Sequence, residues 1–256
     1  MSSKTCLAGK TIIVTRPLAQ AQNILELLEI HQATVVHFPV ISISVTNNIE
    51  TAKQYFRNLA NYQIIIFISA NAVHYAMSIA QELGVNFKHS TLAAVGHATK
   101  AALENYGCKV PIVPQAGFNS EALLNEPRLQ KIAKQNILIV RGQGGREHLR
   151  ETLLSRNAQV DYAEVYQRQI PSERNDIDLS QLSARDSAVL LYSVESAQNL
   201  WSLCSPDEQQ WLTNVSLIVG SKRISEAAAR AGFAKDSIIA ENPSDGAMLA
   251  ALSTWG

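Results

Sequence analysis

Polar residues that could bind an anion stand where apolar runs pass into helix-like stretches. Ser69 follows the run Ile64–Ile68, and Ser193 follows a similar run that ends at Tyr192. At the carboxyl end of a parallel strand, a hydroxyl and the N–H groups of a helix start can bind a carboxylate. Each serine taken alone is more simply an ordinary helix cap, so both interpretations stay open at this point.

Two glycine turns form a second pair of candidates. Gly96 begins a turn that reaches Thr99, and Gly220 is followed by Ser221 and Lys222. Glycine lets a ligand approach the backbone closely, and cationic side chains can supply charge. The alternative is a solvated first helical turn, although cations are not the charge that a helix start prefers.

The segment Arg141–Arg146, with the sequence RGQGGR, is the most ligand-like loop of the chain. Its glycines, Gly142 among them, and its two arginines follow an apolar strand, where they could contact an anion; a flexible turn is the alternative. It is not a dinucleotide fingerprint, because Glu147 stands where G-x-G-x-x-G needs its third glycine.

Tyr166 lies in a long extended segment that could carry alternate side chains towards a ligand. A phenol there could donate a proton to a leaving group. Packing of an amphipathic aromatic ring is the simpler interpretation of the residue by itself.

Composition and spacing exclude several classes of ligand. Lys and Arg together number 22, and Asp and Glu together also number 22. The charges therefore balance, and no broad positive field is available for nucleic acid or an acidic membrane. The six histidines have no cysteine or carboxylate at metal-ligand spacing, so we expect no metal. Gly9–Thr11 resembles the end of a phosphate loop, but Lys4 replaces its first glycine and the segment precedes its strand.

The sequence predicts a cytoplasmic protein. Its first ten residues do not have the pattern of a secretory signal, and no window of eighteen apolar residues indicates a membrane span. Cys6, Cys108 and Cys204 are odd in number and form no CxxC pair, which favours a reducing compartment.

The chain resembles itself at an offset of 124 or 125 residues. Ile12–Ile41 aligns with Ile137–Tyr166 without a gap, and three shorter matches follow in the same order. Each copy alternates short β-branched runs with helical stretches, the pattern of parallel βαβ units. We therefore predict an α/β fold of two similar lobes with parallel sheets flanked by helices.

Two segments are longer than a crossover strand needs: Val35–Val45 and Val160–Ile170. If both connect the lobes, the first βαβ unit belongs with the end of the chain. We expect a discontinuous lobe of residues 1–38 and 172–256 and an inserted lobe of residues 39–171. The polar stretch Ser172–Ser187 is then expected to cross the surface.

Several motifs, in this order and at this spacing, resemble the uroporphyrinogen-III synthase family from about Ile12 to Leu249. The motifs are Thr15–Pro17, Phe67–Val73, Val95–Thr99, Val165–Arg168 and Ser221–Arg223, with Ala227–Ala228 and Gly232–Phe233. The resemblance implies a two-stranded β linker, a cleft between the lobes, and a first βαβ unit that packs with the last three βα units.

The resemblance also implies one reaction without a cofactor or metal. Linear hydroxymethylbilane would be cyclised with loss of water and inversion of its last ring, through a spiro intermediate, to give uroporphyrinogen III. This hydro-lyase reaction depends on orientation, since the activated intermediate closes unaided to the uninverted isomer. Lobe closure is the expected means. We expect a monomer that receives its substrate from the preceding deaminase.

The resemblance gives Tyr166 the role of the tyrosine that assists departure of the hydroxyl, in place of packing. Ser69 and Thr99 match positions in the middle lobe, whereas Ser193 and Ser221 match the facing lobe. Asn71 stands where some relatives have arginine. The complete expected substrate-binding set is Arg16, Ser69, Asn71, Thr99, Arg141, Gly142, Ser193, Ser221 and Lys222.

Two other classes of function remain alternatives. A two-lobed sensor that closes on an anion shares the duplication and the polar turns, but it usually brings a secretion signal or an output domain. A nucleotide-dependent enzyme needs a phosphate loop or a complete dinucleotide fingerprint, and the sequence has neither.

Overall fold

The structure is a computed structural model that describes residues 7–117 and 119–255. Strands and helices alternate along these residues. The strands are β1 (Thr11–Val14), β2 (Thr34–His37), β3 (Ser42–Val45), β4 (Ile64–Phe67), β5 (Thr91–Ala94), β6 (Asn136–Gly142), β7 (Gln159–Gln169), β8 (Ser187–Leu191), β9 (Ser216–Val219) and β10 (Ser237–Ile239). The helices are α1 (Leu18–Ile30), α2 (Ile49–Arg57), α3 (Ala70–Leu83), α4 (His97–Asn105), α5 (Ser120–Leu124), α6 (His148–Ser155), α7 (Val194–Leu203), α8 (Pro206–Leu212), α9 (Lys222–Ala231) and α10 (Asp245–Leu252). Cys6 and the rest of the first six residues lie outside the described residues.

The first of two compact units comprises Met1–Ser42 and Gln169–Gly256. Its five strands form a parallel sheet in the order β10-β9-β8-β1-β2. Helices α7 and α9 pack on the face that carries Ile13, and α1 and α10 pack on the face that carries Ile12. Because helices cover both faces, its central strands are apolar at almost every position.

The second unit comprises Ile43–Arg168, and its five strands follow the order β3-β7-β6-β4-β5. The pairs β7–β6, β6–β4 and β4–β5 are parallel. Helices α2, α3 and α4 contribute to the core on one face, and α5 and α6 contribute on the other. All four residues of β4 are buried, which accounts for its sequence, Ile-Ile-Ile-Phe.

The duplicated strands occupy equivalent places in the two sheets. The order β9-β8-β1-β2 of the first sheet matches β5-β4-β6-β7 of the second. Ile112 forms a parallel bridge to Ala93 of β5, in the same way that β10 pairs with β9 in the first sheet. The chain completes its first sheet only after it has formed the second. The predicted fold class, parallel sheets flanked by helices, is confirmed.

Cap geometry defines several of the helix boundaries. The side chains of Ser69, Asn119 and Ser244 each accept a hydrogen bond from the third following backbone N–H. Gly84 closes α3 with a φ of 65°, in the left-handed region. Such a residue satisfies the last carbonyls of a helix without the penalty that a Cβ would bring.

The two long segments differ in the structure. β7 runs unbroken for 11 residues, whereas Val35–Val45 is interrupted between β2 and β3. Pro39 lies in that interruption, and proline has no N–H to offer to a sheet. Asn199 donates to the carbonyl of Val40 at 2.9 Å and thereby satisfies part of the irregular backbone.

An ion pair between a half-buried arginine and a buried carboxylate fixes the polar segment that was expected to cross the surface. Both guanidinium ends of Arg174 bond to the carboxylate of Glu208, each at 2.6 Å. The Glu208 side chain is 1% exposed and also accepts from the backbone N–H groups of Ser205 and Leu179. The segment is therefore anchored to the core of the first unit, and its residue Leu179 is fully buried.

We expect the stability of the protein to fall as acid protonates Glu208. Burial by itself would raise the pKa of this carboxyl, but hydrogen bonds from Arg174, Ser205 and Leu179 outweigh burial and lower the pKa to about 2. A carboxyl with a depressed folded-state pKa stabilises the fold above its unfolded pKa of about 4.3, and this contribution disappears as pH falls towards 2. Glu208→Gln should cost about 3 kcal/mol of unfolding free energy at pH 7 and flatten the acid limb.

Urea unfolding at pH 7, 4.5 and 3 measures this effect. Asp207→Asn is the matched control, because Asp207 is the exposed neighbour of Glu208 in the first turn of α8. If Glu208→Gln loses stability with acid as steeply as the unmodified chain, the ion pair is not the source of the pH dependence.

Candidate active site

Tyr166 is aimed by an irregularity in β7. Arg141 of β6 lies opposite Glu164, but the next residue, Gly142, lies opposite Tyr166, so β7 has one extra residue at Val165. A bulge of this kind bends a strand locally and redirects the side chain that follows it. Val165 and Tyr166 consequently belong to the same core, on the face covered by α2, α3 and α4, although regular neighbours in a strand point to opposite faces.

The ring of Tyr166 covers the backbone of Gly142. A Cβ at position 142 would lie 2.5 Å from the ring carbon Cζ, closer than any real contact. The next residue, Gln143, donates its backbone N–H to the Tyr166 carbonyl at 2.7 Å. Gly142 was predicted to let a ligand approach the backbone, but the tyrosine ring fills this space.

The hydroxyl of Tyr166 is held at the beginning of α3. Its oxygen lies 3.2 Å from Ser69 Oγ, and the same Oγ accepts the backbone N–H of Ala72 at 3.0 Å. Ser69 is therefore both a helix cap and a partner of the phenol. The N-terminus of a helix carries partial positive charge, so it favours a negative charge that develops on the phenol oxygen.

Tyr75, one turn further along α3, fixes the ring of Tyr166 from the side. The two rings are stacked with centroids 5.7 Å apart and planes 24° apart. The hydroxyl of Tyr75 donates to the carbonyl of Ile43 at 2.9 Å. Burial, and then the proximity of Tyr166, raises the pKa of Tyr75 above its ordinary value, so this second phenol stays protonated.

A cavity of about 300 Å³ in the second unit is lined in part by Tyr166. Gly142, Arg146 and Arg168 also line it, together with the turn that begins α5. Arg146 is largely exposed, and its guanidinium lies 3.7 Å from Glu121. The cavity thus places the phenol beside cationic side chains.

Arg141, predicted to bind the substrate, holds the loop that follows β6. It is 3% exposed, pairs with Glu147 at 3.2 Å, and donates to the carbonyls of Gly142 and Gly144. Its guanidinium lies 4.3 Å from the centroid of the Tyr162 ring. Three of the five guanidinium N–H groups are thus used within the protein, and Arg141 also lines the cavity beside Tyr166.

Tyr162 and Glu147 complete this loop support, and sequence reasoning missed both. The Tyr162 hydroxyl donates to Glu147 at 3.0 Å. Burial, followed by this hydrogen bond, raises the pKa of Tyr162 to about 12. The only sequence signal was the position of Glu147, an acid in the place of a fingerprint glycine.

Six of the predicted residues gather at the carboxyl edge of the second sheet. Ser69 and Asn71 follow β4, Thr99 lies in the first turn after β5, and Tyr166 lies beside the end of β6. Arg141 and Gly142 form that end of β6 itself. Asn71 is half-buried, whereas Thr99 is buried at 4% exposure, so Thr99 is a packed residue of α4 in this arrangement.

The other four predicted residues lie at the carboxyl edge of the first sheet: Arg16, Ser193, Ser221 and Lys222. Arg16 pairs with Asp245 at 2.9 Å, and its guanidinium lies 4.6 Å from the centroid of the Tyr192 ring. Burial, and then the carboxylate of Asp245, raises the pKa of Tyr192 above its ordinary range. Sequence reasoning missed Asp245 as a partner, although its place in the first turn of α10 was visible.

The two serines of this edge differ in how their hydroxyls are used. Ser193 forms a capping box with Ser196, in which each side chain bonds to the backbone of the other residue. Ser221 stands at the N-cap of α9 but makes no side-chain cap hydrogen bond within the described part of the chain. Lys222 is exposed beside it. Ser221 and Lys222 therefore have side chains that a ligand can reach.

In residues 7–117 and 119–255, no three His, Cys, Asp or Glu side chains come together as a set that could hold a metal ion. Within the same residues, none of the helices combines the length and apolar character needed to cross a bilayer.

Sequence comparisons agree over almost the whole chain. The family model described as uroporphyrinogen-III synthase HemD matches residues 22–250. The uroporphyrinogen-III synthase of Escherichia coli K12 is 31% identical over 245 residues, which cover 94% of this chain and 99% of that protein. The enzyme of the same name from Salmonella typhimurium LT2 is 31% identical over 249 residues, with coverage of 94% and 99%.

Solved structures support the same fold. A mutant uroporphyrinogen III synthase from the extremely thermophilic bacterium Thermus thermophilus superposes with a TM-score of 0.61 at 15% identity, covering 96% of this chain and 98% of that one. The uroporphyrinogen-III synthetase of Helicobacter pylori 26695 also gives a TM-score of 0.61, at 17% identity, with coverage of 96% and 99%. At these identities the likeness establishes the fold alone.

We expect Gly142→Ala to displace the ring of Tyr166 and break its contact with Ser69. The new methyl group would overlap the ring at 2.5 Å, and overpacking of this kind costs about 1–3 kcal/mol. Gly246→Ala is the control, because a Cβ there meets nothing within 4 Å. Thermal unfolding and near-ultraviolet circular dichroism of the tyrosines measure the change; equal stability of both variants would contradict the packing described here.

Proposed function

The chain belongs to the uroporphyrinogen-III synthase family, and on that basis we propose that Tyr166 is its catalytic residue. The chain is a lyase that forms uroporphyrinogen III: it cyclises hydroxymethylbilane with loss of water and inversion of the last ring. The observation that carries the assignment of Tyr166 is its geometry. A buried phenol is fixed between Gly142 and Tyr75, bonds to Ser69 at a helix N-terminus, and lines a cavity.

In the proposed first step, Tyr166 donates its proton to the terminal hydroxyl of the substrate. The carbon–oxygen bond then breaks, water leaves, and the adjacent pyrrole nitrogen supplies the electron pair that stabilises the remaining carbon. Ser69 Oγ and the beginning of α3 stabilise the phenolate that forms. The last ring then bonds through its substituted carbon to the carbon that lost the hydroxyl, which gives a spiro intermediate. The older bond from that ring carbon to its bridging methylene breaks, and the methylene bonds to the unsubstituted α-carbon of the same ring, which loses a proton as the ring rearomatises. That proton balances the one given up by Tyr166.

Orientation is the second part of the proposal. The activated intermediate can close without help, so the protein must hold the last ring in the inverted geometry. The substrate carries many carboxylates, and Arg146 and Arg168 stand at the cavity beside Tyr166. Ser221 and Lys222 at the first sheet are proposed as further carboxylate contacts, because their side chains are accessible.

Three predicted binding residues receive another role in this proposal. Arg16 and Arg141 are each paired with an acid and placed over a tyrosine ring, so we assign them to positioning of the strand ends. Gly142 makes room for Tyr166.

The cellular setting is proposed from the chemistry of the chain. Cys108 and Cys204 are free thiols, which is compatible with a reducing cytoplasm. The substrate is unstable towards spontaneous closure, which favours direct receipt from the deaminase that makes it. We propose that the chain works as a monomer.

The product isomer tests the function directly. The protein is mixed with freshly generated hydroxymethylbilane, the products are oxidised, and uroporphyrins I and III are separated. We expect type III in proportion to the amount of protein. Type I alone, formed at the spontaneous rate in the presence of folded protein, would mean that the fold has been retained without the activity.

Tyr166→Phe tests the catalytic assignment. Loss of the phenolic proton should lower turnover about ten- to a hundredfold, which corresponds to about 1.4–2.7 kcal/mol of barrier. The isomer ratio of the remaining product should stay on the side of type III, because the ring is still in place. Tyr55→Phe removes a hydroxyl from α2 and serves as the control. An unchanged steady-state rate for Tyr166→Phe would return Tyr166 to a packing role.

A further inference from the structure

A second cavity of the inserted unit lies at the far end of α3 from Tyr166. It encloses about 580 Å³ between the last turns of α3, the following loop of residues 84–90, the beginning of β5 and the turn after α4. α3 has 14 residues, so its two ends are about 20 Å apart. The cavity is therefore separate from the candidate active site.

Small residues create this space. Gly107, in the turn after α4, lines the cavity with a φ of 75°. A Cβ added to Gly107 would meet nothing within 4 Å. Ala80 and Ser90 also present short side chains to the cavity. The short side chains of these lining residues therefore leave the cavity open.

The floor of the cavity is apolar and firmly packed. Phe87 and Leu92 are 6% and 4% exposed, and Met77 lies beside them among the lining residues. The Phe87 ring makes edge contacts with Phe56 and Phe67 at centroid distances of 5.9 and 5.6 Å. A floor held by such contacts is preformed, so a ligand would bind without first ordering it.

The rim of the cavity is cationic. Lys88 and Lys109 are exposed lining residues, and no Asp or Glu is among the described residues that line it. In the described part of the chain, neither lysine takes part in an ion pair. Burial raises the pKa of the Cys108 thiol, so this lining group stays neutral and adds to the apolar wall.

We propose that this cavity binds a small amphiphilic anion. The apolar body of the ligand would lie on Met77, Phe87 and Leu92, and its anionic group would lie between Lys88 and Lys109. The volume falls within the usual range for small-molecule sites, which combine an apolar lining with a few convergent polar groups. The separation of apolar floor from cationic rim specifies a ligand with its charge at one end.

Two dyes with the same rings but different charge test the proposal. 1-Anilinonaphthalene-8-sulfonate carries one sulfonate, whereas N-phenyl-1-naphthylamine is its neutral analogue. Fluorescence titration of the full chain should show saturable binding of both dyes, with the anion bound more tightly. The double variant Lys88→Gln with Lys109→Gln should weaken anion binding about fivefold or more and leave the affinity of the neutral dye unchanged. Lys131→Gln with Lys134→Gln removes the same charge elsewhere and should change neither affinity.

Alkylation of Cys108 locates the bound dye. Bound anion should slow the reaction of Cys108 with N-ethylmaleimide, as followed by peptide mass spectrometry, and the protection should be lost in the Lys88 and Lys109 double variant. Anion binding that is equal in both double variants, or that leaves Cys108 unprotected, would overturn the proposal. Failure to bind either dye in a saturable manner would overturn it as well.

Discussion

The contact between Gly142 and the ring of Tyr166 is the constraint on which the site depends. A residue with any side chain at position 142 would exclude the ring, and the bulge in β7 exists opposite this glycine. Once the ring lies there, Tyr75 stacks on it and its hydroxyl reaches Ser69. Because Gly142 of β6 has no side chain, the phenol of Tyr166 on β7 can reach the beginning of α3.

The duplication shows which features belong to the fold and which to the chemistry. In both units an arginine at or just after the carboxyl end of a strand pairs with an acid and lies over a tyrosine ring: Arg16 with Asp245, and Arg141 with Glu147. A feature present in both copies is explained by a common structural need. At the offset of 125 residues, however, Ile41 aligns with Tyr166, so the phenol occurs in one copy only. The proposed catalytic residue is thus an addition to one half of a duplicated scaffold.

The sequence allowed the sheets, the caps and the repeat to be predicted, because each depends on local composition. A run such as Ile64–Phe67 needs both of its faces buried, and Ser69 has the usual chemistry of a cap. The bulge at Val165 and the pairing of Arg141 with Glu147 could not be predicted. Both depend on which residues face each other across strands or within a loop, and the spacing of residue types along the chain does not give that register. The placement of one unit against the other stays a prediction from the family resemblance.

Ser69 is both a helix cap and a partner of the Tyr166 hydroxyl, and the two roles are compatible. A hydroxyl can accept one hydrogen bond and still donate another, and Ser69 accepts from the Ala72 N–H while its oxygen lies beside that of Tyr166. Its counterpart Ser193 accepts from the Ser196 N–H and donates to the Ser196 hydroxyl. Ala72 stands where the first unit has Ser196, and alanine offers no second acceptor. The alanine therefore leaves the proton of Ser69 available to the oxygen of Tyr166, which is where a developing phenolate needs a donor.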